Sequence, residues 1–283
     1  MDSARWAALI AVFLLLSACT SVTPLTVGAD MAAETPPQLA ASVRRGEVAT
    51  YRTADGRELA YRAYRADDRA ASTATALVYL HGIESHGVWF ALAADGLSRR
   101  GHDVFLLDRR GSGLNRENRG FLSGDAPGDV DGLLADVDAF LDSLRGRYQR
   151  VVLVGLSWGG KLALAETLAD SAAVDALILI TPGLVPEVGY GALEQVGIAA
   201  AALVRPEAAF RTPIAPEMFT KTPVWLAFIE TDPLRLRQVT ARFLMATRAL
   251  DRRIARGAAE RGTPTLLILA GRDRIVDNAG ARM

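Results

Sequence analysis

The sequence predicts an α/β fold, a mostly parallel sheet with helices on both faces, from three observations. Short continuous apolar runs alternate with helix-length segments along most of the chain. Those runs are apolar on both alternations, as strands covered on both faces are. At the start, two alternating segments flank Asp55-Gly56, a strong hairpin signal that places an antiparallel pair at one edge.

The chain has 283 residues, half of them apolar, enough for one large domain with a full core. Its 32 Lys and Arg balance 32 Asp and Glu, so nothing favours a nucleic-acid partner. A single cysteine, Cys19, excludes an intramolecular disulfide.

The elements follow in order. Residues 6–16 form an apolar stretch behind Arg5, the length of a signal-peptide core and shorter than the roughly 20 residues a membrane span needs. It ends in Leu16-Ser17-Ala18-Cys19, which resembles a bacterial lipobox. That resemblance implies a signal over residues 1–19, lipidation of Cys19, export, and a tether to a membrane, the outer membrane if the source is Gram-negative. Residues 20–45, rich in Ala, Thr and Pro, read as a flexible tether. The folded domain is expected over 46–283. After the hairpin, strands are expected at 76–80, 104–107, 151–154, 176–180 and 265–269, with helices at 88–100, 130–144 and 160–169. Between 183 and 262 the alternation breaks into an Ala-rich helix at 191–204, a Pro-punctuated loop to 223 and an amphipathic helix at 233–254. This reads as a helical cap inserted over the carboxyl end of the sheet, where open α/β sheets bind ligands.

The sharpest chemical signal is Gly155-Leu156-Ser157-Trp158-Gly159, placed between an expected strand and an expected helix. Two glycines allow a tight turn that lifts the serine hydroxyl above the sheet, so Ser157 is the candidate nucleophile. Leu80-His81-Gly82-Ile83-Glu84-Ser85-His86 follows the strand at 76–80, and its histidines read as loop-shaping residues before they read as bases. Asp108-Arg109-Arg110-Gly111-Ser112-Gly113 closes the next strand; no helix opens directly after it, so a tight loop is favoured over a phosphate site. Gly271-Arg272-Asp273-Arg274-Ile275-Val276-Asp277 follows the last strand.

Together these four motifs resemble the monoacylglycerol lipase and lysophospholipase branch of the α/β hydrolases, often labelled serine aminopeptidase-like. The resemblance runs from about residue 47 to the end of the chain. It implies an α/β-hydrolase fold and hydrolysis of carboxylic esters, of lipid-like acyl chains, through an acyl-enzyme and without metal or cofactor. In that scheme Ser157 attacks, the backbone N–H groups of Ile83 and Trp158 form the oxyanion hole, and Asp273 orients the base. Asp277 is the fallback acid and reads otherwise as a helix N-cap. The serine at the elbow excludes dehalogenase and epoxide-hydrolase chemistry, which need an aspartate there. An aminopeptidase would want an acidic pair in the cap, whereas Glu187, Glu194, Glu207 and Glu217 are scattered.

One part of the scheme has no residue to fill it. The triad order of this fold is Ser, acid, His, and His81, His86 and His102 all precede Ser157. The expectation is therefore a C-terminally truncated enzyme whose base, last strand and last helix lie past Met283. The alternative is a lipid-anchored binding protein on a hydrolase scaffold. Acyl length, head group and oligomeric state are not written in the sequence.

Overall fold

The computed structural model describes residues 35–67, 74–116, 130–257 and 262–282. The expected signal, its lipobox with Cys19, and most of the expected tether lie outside the described residues. The tether boundary is corrected at its far end. Residues 37–45 form helix α1 (Pro37–Arg45), which starts with proline at its first turn, where the missing N–H costs nothing. Its Leu39 is fully buried, Ser42 donates to Asp95 at 2.9 Å, and Arg45 pairs with Asp95 at 2.8 Å. Proline content suggested a loop; the Leu39 and Ser42 spacing on one helical face carries the segment into the domain instead.

The main sheet uses β1 (Glu47–Arg52), β2 (Glu58–Tyr64), β3 (Thr75–Leu80), β4 (Asp103–Leu107), β5 (Arg150–Leu156), β6 (Ala176–Ile180) and β9 (Thr265–Ile268). Their spatial order is β1-β2-β4-β3-β5-β6-β9. β2 pairs antiparallel with both neighbours, and every other pairing is parallel. The direction of winding reverses at β3, with β4 on one side and β5 on the other. Their register, Leu80 opposite Gly155, sets the carboxyl ends of β3 and β5 side by side. That is the switch point at which such sheets open a crevice.

Alternation along the strands sorts the core into two layers. Ala76, Val78, Leu80, Phe105, Leu107 and Leu153 face helices α3 (Val130–Leu144), α4 (Trp158–Ala169) and α7 (Ala241–Gly257). Leu77, Tyr79, Val104, Leu106 and Val154 face α1 and α2 (Ala91–Ser98). β9 closes one edge, and its Leu266 and Ile268 stay exposed.

The cap differs in detail from the sequence reading. It holds α5 (Ala192–Val204), a short strand β7 (Ala209–Arg211), α6 (Pro223–Thr231) and β8 (Gln238–Thr240), which pairs with β7, before α7 begins. The amphipathic helix expected from residue 233 therefore starts at Ala241. Asp232 ends α6, and Gln238-Val239-Thr240, β-branched at two of three positions, pairs as a strand. The stretch from 223, assigned to no element, is helical, with Pro223 at its first turn. No described helix is long and apolar enough to cross a membrane.

Candidate active site

β5 runs directly into α4 through Ser157, which takes φ 52° and ψ −118°, a strained conformation for a residue with a side chain. The strain is held from several directions. Ser157 N donates to Ile180 O at 3.0 Å, and Gly160 N and Gly183 N both donate to Ser157 O, at 2.9 and 2.8 Å. The glycines are a steric requirement. A Cβ on Gly159 would sit 2.1 Å from Leu80 O, and one on Gly155 would sit 2.6 Å from Gly159 O.

The loop after β3 lies against this turn: a Cβ on Gly82 would be 3.5 Å from the Ser157 Cβ. His81 ties the loop down, its Nδ1 bonded to Gly82 O at 2.7 Å and its Nε2 accepting from Arg109 N at 2.9 Å. Burial and the nearby Arg109 charge hold the His81 ring well below its ordinary pKa. Arg109 then threads beneath. Its guanidinium lies 4.6 Å from the Trp158 ring centre and 4.9 Å from that of Phe243, and Nη2 donates to Ile83 O at 3.1 Å. Burial lowers the Arg109 pKa to about 9. Arg110 is engaged elsewhere, with Asp55 at 2.7 Å and with Asp136. Asp108 accepts from Gly87 N at 2.6 Å and Leu114 N at 2.7 Å. The Asp108 to Gly113 motif is thus a tight loop, as expected, with Asp108 taken up by backbone N–H groups and Arg110 by two carboxylates.

Asp273 sits in the turn after β9, where Oδ1 accepts from Ile275 N and Val276 N at 2.8 and 2.9 Å. This turn is pinned to the segment beyond the elbow by Glu187 N to Ile275 O and Asp277 N to Val185 O, both 2.9 Å. Ile275 and Val276 reach the pocket that contains Ser157; Asp273 itself does not line it. Asp277 accepts from Ala279 N at 2.8 Å, a local turn ahead of a short 3₁₀ turn that begins at Gly280.

The pocket over Ser157 has a volume of about 530 Å³ and lies between Ile83, Trp158 and the cap. Its wall is mainly apolar, with Val188, Ile198, Ile214 and Leu244. No histidine lines it among the described residues. His86 is buried and bonded to Asp232 at 2.9 Å, which also accepts from Trp89 Nε1 at 2.6 Å. Glu84 pairs with Arg235 at 2.6 Å and accepts from Thr212, while its carbonyl accepts from Leu236 N at 2.9 Å. The loop after β3 is thus also the seat of the cap. Sequence reading left Glu84, Arg109, Asp232 and Arg235 without roles. Their partners lie up to 151 positions away in the chain, and the one local signal was a charged residue inside an otherwise small-residue loop.

A strand–elbow–helix serine above the switch point of a mainly parallel sheet, with a loop-borne carboxylate after a late strand, defines the α/β-hydrolase class. Within it, the family model described as serine aminopeptidase, S33 matches residues 71–283, and the chain belongs to that family. No curated protein matches the chain in sequence. Among solved structures, the monoacylglycerol lipase of Paleococcus ferrophilus superposes with a TM-score of 0.70 at 17% identity, over 80% of this chain and 82% of that one. A soluble variant of the monoglyceride lipase of Saccharomyces cerevisiae, in complex with a substrate analog, gives 0.69 at 17% over 93% and 84%. An esterase from Exiguobacterium antarcticum gives 0.55 at 19% over 78% and 80%. These likenesses establish the fold, and the family makes the chain a hydrolase.

Proposed function

We propose that the chain is a serine hydrolase of carboxylic esters with lipid-like acyl chains. Ser157 attacks the acyl carbon, the N–H groups of Ile83 and Trp158 receive the oxyanion, and Asp273 orients the base. The observation that carries the reading is Ser157 itself, held in a strained turn at the start of α4 and opening into an apolar pocket. A strained side chain persists only where the surroundings over-determine it, and such strain gathers at reactive sites. The lipase and esterase neighbours support the same substrate chemistry. We place Cys19 as a lipid anchor, which would hold the domain beside a membrane that supplies such esters.

An aminopeptidase is the weaker reading within the family. Asp251 alone among carboxylates lines the described pocket, and Lys161 neutralises it at 2.6 Å. Glu194 and Glu207 serve the helix start at Gly191 and Arg242. A non-catalytic lipid-binding protein is favoured by one observation, the absence of histidine from the described pocket lining.

The test is labelling by a fluorophosphonate beside hydrolysis of a medium-chain ester. The expected result is a single label that maps to Ser157 and disappears in Ser157→Ala, with ester cleavage lost in parallel. Labelling without cleavage would favour the binding protein. A label elsewhere, or none on folded protein, would sink the nucleophile assignment.

A further inference from the structure

We propose that the pocket takes acyl esters bearing a net negative charge, with Arg248 and Arg252 holding the anionic group. The inference rests on the reading that Ser157 faces an ester, and adds which ester.

Helix α7 is fixed beside the elbow by two bonds one helical turn apart. Trp158 Nε1 donates to Thr247 Oγ1 at 3.0 Å, and Lys161 pairs with Asp251 at 2.6 Å. Both pairs join α4 to α7. Trp158 follows Ser157 directly, so its bond to Thr247 ties α7 to the residue beside the nucleophile. Arg248 is the next residue, and Arg252 lies four further on, about 6 Å along the axis and on the same face. Both line the pocket.

Charge accounting then decides the preference. Four charged side chains line the described pocket: Lys161, Arg248, Asp251 and Arg252. Lys161 and Asp251 cancel. Arg248 is oriented from across the cap by a neutral partner, Gln195 Oε1, at 2.6 Å. Arg252 has no hydrogen bond or ion pair among the described residues. Two positive charges are left, both on solvent-exposed side chains of a pocket that also has Val188, Ile198, Ile214 and Leu244 in its wall. The Tyr190 hydroxyl, also in the lining, is buried without a hydrogen-bond partner, and an enclosed polar group of that kind calls for one. An apolar tail with an anionic end satisfies this set. A neutral glycerol ester leaves both guanidinium groups to water. Guanidinium groups accept phosphate and carboxylate alike in two-pronged geometry, so the shared chemistry is an anion attached to the ester, and either group can supply it.

Binding tests this without depending on turnover. Full-length Ser157→Ala protein is titrated calorimetrically, below micellar concentrations, with dodecanoyl lysophosphatidic acid, with dodecyl hemisuccinate and with monododecanoylglycerol. We expect the two anionic esters to bind about tenfold more tightly than the neutral one, the sum of two exposed ion pairs, and the preference to shrink with added salt. A stronger response to one anionic ester identifies which anion the site takes. Arg252 is exposed and makes no hydrogen bond or ion pair among the described residues, so Arg252→Gln should leave the fold intact and remove part of the preference; adding Arg248→Gln should remove the rest while neutral-ester affinity holds. Equal or tighter binding of the neutral ester, or a preference that survives both substitutions, overturns the inference and leaves the serine hydrolase reading standing. Absence of binding by all three overturns it as well. Failure of the fluorophosphonate to label the unmodified chain would instead remove the nucleophile, whatever the titrations show.

Discussion

Gly159 has no room for a side chain, because the β3 carbonyl of Leu80 occupies the place a Cβ would take. Gly159→Ala must push β3 and α4 apart or abandon the elbow. We expect a loss of about 2–4 kcal/mol in denaturant unfolding, together with loss of fluorophosphonate labelling at Ser157. Unchanged labelling would show that the turn tolerates another geometry. Arg109 acts differently. It stacks on Trp158 and donates to the carbonyl of Ile83, so one buried cation braces both residues proposed to hold the oxyanion. Arg109→Met keeps the stem and removes the charge. Labelling of Ser157 should slow by about tenfold, less than the 10²–10³ expected for losing a direct oxyanion donor. An unchanged labelling rate in the folded variant would reduce Arg109 to packing.

At the level of elements, the turn after α6 is held to the sheet by polar contacts gathered on one short loop. His86 meets Asp232 just past α6, and Glu84 meets Arg235 three residues on. Burial works against the His86 charge, but the Asp232 carboxylate outweighs it and raises the pKa. Asp232 is buried too, and His86 and its other donors bring its pKa down. Asp232→Asn breaks the ion pair while keeping the shape, at a cost of about 3–5 kcal/mol when a buried partner is left uncompensated. Amide hydrogen exchange in residues 223–236 should accelerate while the main sheet stays protected. Equal protection of both would show that the contact adds nothing to cap docking. α1 is a second element whose weight can be read directly. Leu39→Ala removes a fully buried side chain and should cost about 2–5 kcal/mol.

For the whole molecule, the shifted groups set a pH profile. Glu166, buried in α4 near Asp138 and Asp170, has its pKa pushed up to about 8 by burial first and by those carboxylates next. The folded state thus keeps a proton that the unfolded state releases near pH 4.5, and stability falls as pH rises between about 4.5 and 8. His86, raised in the folded state, stabilises fully below its unfolded pKa of about 6.5, and that contribution is lost as pH climbs through the folded value. Both act in one direction; His81, which burial holds well below its ordinary value, acts against them below about pH 6.5, where the unfolded chain takes up a proton that the folded ring refuses. Thermal melts should show a higher Tm near pH 5.5 than near pH 8.5, and Glu166→Gln should narrow the gap by stabilising the alkaline side. A profile unchanged by that substitution would remove Glu166 from the account.

The same scale shows what the sequence could disclose. Strands such as β3 and β5 were legible because they are short, apolar on both alternations and bounded by turn residues, and the elbow was legible because its glycines are sterically compelled. The cap was misread where local preference and tertiary pairing conflict: residues 238–240 become a strand only because β7 lies beside them. Helix α1 was hidden by its prolines, since its reason for being helical is the surface of α2. Glu84, Arg235 and Arg109 were invisible in function because a charge has no periodicity, and its partner is chosen by the fold.

The two bonds from α4 to α7 divide the cap unequally. Trp158–Thr247 and Lys161–Asp251 make α7 a fixed doorpost, joined to the helix that bears the nucleophile. The turn after α6 is seated on the loop after β3, whereas α5 leans on the post itself, through Ala201 at Ala241 and Gln195 at Arg248. A doorway with one fixed side keeps its threshold aligned with the serine. The pocket residues on the post, Leu244, Thr247 and Arg248 among them, therefore keep one position relative to the helix that bears the nucleophile.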